Sequence, residues 1–210
     1  LKVEAVCADY TAGLQLPDMP KDTARAAFFP GSSIGNFVPA AAVDLLRDVG
    51  RDLGPGGAML IGVDLKKDRN VLERAYNDAA GVTAEFNLNL LQHINRELNG
   101  DFDLRQFEHR AFYNEHQDRV EMHLVSQAEQ EVTVGGEAFD FAEGETIRTE
   151  YSHKYTIADF AELAAEAGLI LKLGASFRAE QVLGRDFSLD DLASNYDAVL
   201  LACGQLDAER

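Results

Sequence analysis

Residues 26–37 hold the arrangement most able to do chemistry. An apolar run breaks at Pro30-Gly31, passes through Ser32 and Ser33, and meets Gly35-Asn36 just before a helical pattern begins. That is a crossing from strand to helix, and in an open α/β sheet the loop leaving the carboxyl end of a strand is where ligands sit. Gly31 and Gly35 let backbone approach a ligand closely, while Ser32, Ser33 and Asn36 supply neutral donors and acceptors. A plain turn accounts for the same spacing equally well, because Pro-Gly and Ser-Ser often end strands.

Two other places carry polar groups in suggestive order. Asp9-Tyr10 closes a short apolar stretch, where a carboxylate could accept from a ligand amine and the ring could cover a flat heterocycle; an Asp capping the next turn explains the pair as well. If residues 146–154 are extended, Arg148, Glu150 and Ser152 recur at a spacing of two and share one face of a strand. A carboxylate beside a hydroxyl can bind a ligand N–H. A solvated face with Arg148 paired to Glu150 is the simpler reading of the charges. His93, His109, His116, His123 and His153 show no metal-ligand spacing and are expected as surface or strand residues.

The elements that must position these groups follow from periodicity. Strands are expected at residues 2–10, 24–29 and 58–65. Val43, Leu46, Val49 and Leu53 mark a helix that stops at Gly54-Pro55-Gly56-Gly57. Strand, helix and strand in that order imply a parallel sheet. Residues 70–98 read as two helices around Gly81, with Leu88, Leu91, Ile94 and Leu98 as an apolar stripe. From residue 102 to 155 the period changes to alternation, with Gly135-Gly136 as a hairpin turn. Thr156 then caps a helix running to Gly168, and residues 170–177 and 198–202 supply closing strands.

Composition narrows the class. A formal net charge of −17 over 210 residues disfavours nucleic-acid or anionic-membrane partners, which need a positive surface. No apolar run approaches the roughly 20 residues a spanning helix requires. Cys7 and Cys203 lie far apart in apolar settings and are expected as buried thiols of a cytoplasmic protein.

Five ordered blocks resemble the S-adenosylmethionine-dependent L-histidine Nα-methyltransferases of ergothioneine biosynthesis. They are Pro30 to Asn36, Gly62 to Asp68, Ala75 to Asn87, Glu121 to Ser126 and Gly144 to Tyr155. The resemblance implies a Rossmann-like class I methyltransferase sheet with an inserted α+β substrate domain. Residues 1–68 and 156–210 would form the methyltransferase core and 69–155 the insert. It further implies that Asp9 and Tyr10 hold the adenine of S-adenosylmethionine and that Gly31 lies beside the reacting centre. Asn36 and Tyr76 would hold the amino and carboxylate groups of L-histidine. Glu150 and Ser152 would read the imidazole, and Met122 would line its pocket. The reaction implied is trimethylation of the α-amine to hercynine, with no metal and no residue singled out as a base, and the sequence leaves the oligomeric state open.

The family's first strand, Gly-rich cofactor loop and ribose-binding carboxylate are not found before Val3, so the N-terminal sheet strands are expected to be missing and half a cofactor site present. Two other readings stand beside the first: a related methyltransferase with another small-molecule or protein acceptor, and a non-catalytic fragment or binding module.

Overall fold

The computed structural model describes residues 5–11 and 25–169. The expected strands at 170–177 and 198–202, together with Cys203, lie outside the described residues.

Strand β1, Ala26–Phe29, runs parallel to β2, Ala58–Ile61, with Ala26 opposite Ala58 and Phe29 opposite Ile61. Helix α1, Pro39–Leu53, joins them. Pro39 opens it with φ already helical, and the helix gives way at Gly54, whose φ of 70 an L side chain rarely adopts. Its inward residues Ala42, Val43, Leu45 and Leu46 meet Phe160 and Leu163 of α4, Ile157–Glu166, and Ala167 just beyond its end. Each fully buried leucine in such a cluster contributes about 1.5–3 kcal/mol. The start of α4 is fixed locally: the Thr156 side chain accepts from the Asp159 N–H and the Asp159 carboxylate accepts from the Thr156 N–H.

The middle of the chain forms helices α2, Arg69–Tyr76, and α3, Val82–Glu97, broken at Gly81 with φ 77. Asp68 caps α2 through the N–H groups of Asn70 and Val71, and Asp78 accepts from the Val82 and Thr83 N–H groups at the start of α3. An antiparallel sheet follows in the order β3-β4-β7, made of Phe107–Asn114, Arg119–Ser126 and Thr146–His153. Strands β5, Gln130–Val134, and β6, Glu137–Phe141, make a separate hairpin turning at Gly135 and Gly136, both at positive φ. One sheet face is apolar: Ala111, Tyr113, Val120 and Met122 pack on Leu72 and Tyr76 of α2, while Phe107 and Leu124 pack on Leu91 of α3.

The parallel pair and the antiparallel sheet are stitched together at their ends. Leu65 bridges Tyr155 in parallel, the Tyr155 N–H donates to the Asp64 carbonyl at 3.0 Å, and the Lys66 N–H donates to the Tyr155 carbonyl at 2.9 Å. Lys66 reinforces the junction with its ammonium between Asp118 and Asp159.

Several expectations need correction. Residues 5–9 form no strand, because no described segment offers them a ladder, and Cys7 in that stretch is exposed rather than buried. Strand β2 stops at Ile61 instead of reaching residue 65. Arg148 does not share a face with Glu150. Met122 pairs with Glu150 but His123 pairs with Arg148, so a β-bulge adds one residue to β7 at Thr149 and inverts the alternation beyond it. The Arg148 guanidinium lies over the Tyr151 ring, 5.5 Å from its centroid, on the opposite face. No described helix is long and apolar enough to cross a membrane.

Candidate active site

The loop after β1 is built by close approach. Gly31, with φ 79, and Ser32, with φ 60, turn the chain so that the Ser32 hydroxyl accepts from the Asp64 N–H at 2.6 Å, tying the loop to the end of β2. The 3₁₀ turn Ser33–Asn36 then rests on β7. A Cβ on Gly35 would meet the His153 carbonyl oxygen at 2.8 Å and the Ser152 Oγ at 3.3 Å, so only glycine permits this spacing. Asn36 is thereby carried to Glu150, and its Nδ2 donates to Glu150 Oε1 at 3.3 Å. Both line a cleft of about 350 Å³ with Arg148, Thr149 and Tyr151. Thr149 and Glu150 also edge a neighbouring depression of about 240 Å³ walled by Phe86, Asn87, Asn89, Leu90 and His93 of α3.

Lys154, four residues beyond Glu150, is only 2% exposed. Its Nζ donates to Tyr76 Oη at 2.9 Å and to Ser152 Oγ at 2.8 Å, and pairs with Asp64 Oδ2 at 2.8 Å. It lies 4.9 Å from the centre of the Tyr76 ring, on the hydroxyl side. Burial pushes the Asp64 carboxyl upward, but the ammonium groups of Lys154 and Lys67 outweigh that and hold it below the usual carboxylate range.

Tyr76 is held from three sides. The neighbouring Asn77 clips α2 to β3 by donating to the Ala111 carbonyl and accepting from the Ala111 N–H. Glu73 accepts from the Tyr113 N–H. His109 donates through Nε2 to the Tyr76 carbonyl at 2.8 Å while its Nδ1 accepts from Asn87, and this pairing sets the tautomer.

Met122 is buried at 3% exposure on β4, beside Glu150 in register and packed with Leu72, Ala111, Tyr113 and Val120. It belongs to the core immediately under Glu150. Asp9 and Tyr10 stand apart from this cluster, on the side of Phe29 and Phe37. The Tyr10 ring meets those rings edge-on, with centroids 5.8 and 6.4 Å away, and is 43% exposed. Asp9 makes the turn that spacing alone allowed: Oδ1 accepts from both the N–H and the hydroxyl of Thr11, and the hydroxyl bond most of all lowers its carboxyl below the ordinary range. Its Oδ2 has no partner among the described residues. A free carboxylate oxygen next to an open aromatic face suits an adenine, whose amine donates and whose ring is flat. Among the described residues no group of His, Cys, Asp and Glu could hold a metal ion.

Thus Asn36, Tyr76, Glu150 and Ser152, drawn from three separated segments, come together, and Met122 lies beneath them. Gly31 lies one turn away in the same loop, and Asp9 with Tyr10 lies toward its other end. Sequence reasoning missed Lys154 and Asp64. The available signals were a lysine two residues beyond Ser152 in a stretch leading into the core, and a carboxylate closing an apolar run.

Comparison with known proteins gives a family model described as histidine-specific methyltransferase, SAM-dependent, matching residues 1–183. The chain is 43% identical over 171 residues to histidine N-alpha-methyltransferase of Mycolicibacterium smegmatis, covering 80% of this chain and 53% of that protein. It is 31% identical over 159 residues to an L-tryptophan methyltransferase of Psilocybe serbica, covering 73% and 43%. It is 32% identical over 153 residues to ergothioneine biosynthesis protein 1 of Neurospora crassa, covering 66% and 16%. The chain spans about half the length of the histidine methyltransferase it matches.

Proposed function

The chain belongs to the family of histidine-specific, S-adenosylmethionine-dependent methyltransferases, and we propose that it trimethylates the α-amine of L-histidine to hercynine, a step of ergothioneine biosynthesis. The observation that carries this reading is the meeting of Asn36 with Glu150 at one cleft, with Ser152 two residues along the same strand and joined to Tyr76 through Lys154. In this reading residues 1–68 and 156–210 belong to a Rossmann-like core and 69–155 form the substrate domain. A soluble, cytoplasmic setting accords with the charge of −17.

The roles follow from the chemistry of the groups. S-adenosylmethionine supplies an electrophilic methyl on a sulfonium, so transfer is a direct displacement that needs attacking nitrogen, carbon and sulfur in line. Asp9 Oδ2 and the Tyr10 ring hold the adenine, and the Gly31 backbone leaves room beside the reacting centre. Asn36 donates one amide N–H to Glu150, which turns Oδ1 away to accept from the substrate amine. A neutral amide orients the amine without stabilising its ammonium form, as a carboxylate would. Tyr76 meets the α-carboxylate, and Glu150 with Ser152 holds the imidazole above Met122. One proton leaves the nitrogen to water for each methyl gained.

A second acceptor, an amino acid with a larger aromatic ring, is favoured by the likeness to the L-tryptophan methyltransferase. Incubating the protein with S-adenosylmethionine and either L-histidine or L-tryptophan, with products read by mass spectrometry, decides between them. Mono-, di- and trimethylated histidine are expected. Transfer to tryptophan alone would replace the first reading by the second. Cofactor binding with transfer to neither would leave a binding module.

A further inference from the structure

Lys154 is the largest fully buried side chain among the described residues, and nothing in the roles above uses it. An ammonium has three N–H donors, and here three acceptors take them: Tyr76 Oη, Ser152 Oγ and Asp64 Oδ2. Because both hydroxyl oxygens accept from Lys154, each must point its own hydrogen elsewhere. Among the described residues no protein acceptor takes either hydrogen. Lys154, Asp64 and Ser152 come from the stitched ends of β2 and β7, so this polarity is built into the junction.

Resting on the histidine reading of the cleft, we propose that Lys154 is a positioning residue that makes donors of Tyr76 and Ser152. The site then selects a ligand offering two acceptors, a carboxylate at Tyr76 and an unprotonated ring nitrogen at Ser152, while the opposite ring N–H goes to Glu150. Asp64, 2.8 Å from Nζ, keeps Lys154 aimed at the two hydroxyls. With the ammonium gone, both hydroxyls rotate freely and donate no better than they accept.

The test is a mutant cycle on the intact protein, reading KM and kcat for L-histidine, histidine affinity by calorimetry, and S-adenosylmethionine affinity. Lys154→Met should raise the histidine KM about tenfold, one hydrogen bond's worth of discrimination, with a smaller change in kcat and unchanged cofactor affinity. Lys154→Arg, which keeps the charge and the donors, should recover part of the loss. In the Tyr76→Phe, Ser152→Ala background the Met substitution should add almost nothing, because its effect passes through those hydroxyls. A merely structural lysine would weaken histidine binding by the same factor in both backgrounds, and that result overturns the inference. Should Lys154→Met fail to fold, Tyr76→Phe and Ser152→Ala carry the test: unchanged histidine KM in both overturns it. Failure of the wild type to methylate histidine is a separate result, which sinks the functional reading itself.

Discussion

Asn36 Nδ2 lies 3.3 Å from Glu150 Oε1, although 114 residues separate them in the chain. The approach depends on Gly35, which lets the 3₁₀ turn lie directly on the β7 backbone at His153. A loop of the parallel pair thus touches a strand of the antiparallel sheet through one hydrogen bond and one missing side chain.

Gly35→Ala should therefore separate the pair. A methyl 2.8 Å from the His153 carbonyl forces backbone to move, an overpacking strain of about 1–3 kcal/mol. Thermal unfolding should show a lower Tm, and the histidine KM should rise while cofactor affinity holds. An unchanged Tm would mean that the turn and β7 are not in contact.

Acceptor choice can be read from Glu150 and Met122 together. Glu150→Ala removes the partner of a ring N–H, and Met122→Val shortens a buried side chain beneath it, at a packing loss of about 1 kcal/mol. In the double variant the ratio of kcat/KM for histidine to that for tryptophan should fall by about a hundredfold, since a site built to hydrogen-bond a group rejects ligands lacking it. If the ratio holds, this strand does not read the ring.

At the cofactor side, Asp9→Ala should weaken S-adenosylmethionine binding about tenfold, the loss of one charge-assisted hydrogen bond. The Tm should scarcely move, because Asp9 is exposed and its bonds among the described residues are confined to Thr11. Equal cofactor affinity in calorimetry would return Asp9 to the role of a turn former.

Acid should loosen the junction in a defined window. The bond from Lys66, followed by those from the N–H and hydroxyl of Thr156, lowers the Asp159 carboxyl from 3.8 to about 2. A carboxyl depressed on folding contributes stability above its unfolded value and loses it as pH falls through the folded one. Asp159→Asn should lower Tm at neutral pH, and the gap from wild type should close between about pH 4 and pH 2. A gap independent of pH would show that the charge of Asp159 does not matter to the cap.

The local punctuation of this chain was legible without coordinates. Gly54 ends α1, Gly81 divides α2 from α3, and Gly135-Gly136 turns the hairpin, because positive φ is a property of the residue and needs no distant partner. Thr156 likewise caps α4 with Asp159 three residues on. The resemblance also singled out Asn36, Tyr76, Glu150 and Ser152, which the fold gathers, although neither periodicity nor spacing demanded it. What depended on pairing across long distances was not legible. The stretch ending at Asp9 has strand composition but no ladder among the described residues to take its backbone groups, so residues 5–9 stay irregular and Cys7 stays exposed. Arg148 sits two residues before Glu150, yet the bulge opposite Met122 and His123 puts it on the other face, since inserting one residue inverts a period of two. Lys154 reads as an ordinary charged residue near a strand end. Only when Asp64 and Tyr76 arrive from distant segments to join the local Ser152 does burying its ammonium become tolerable, because a charge leaves water only where acceptors replace it.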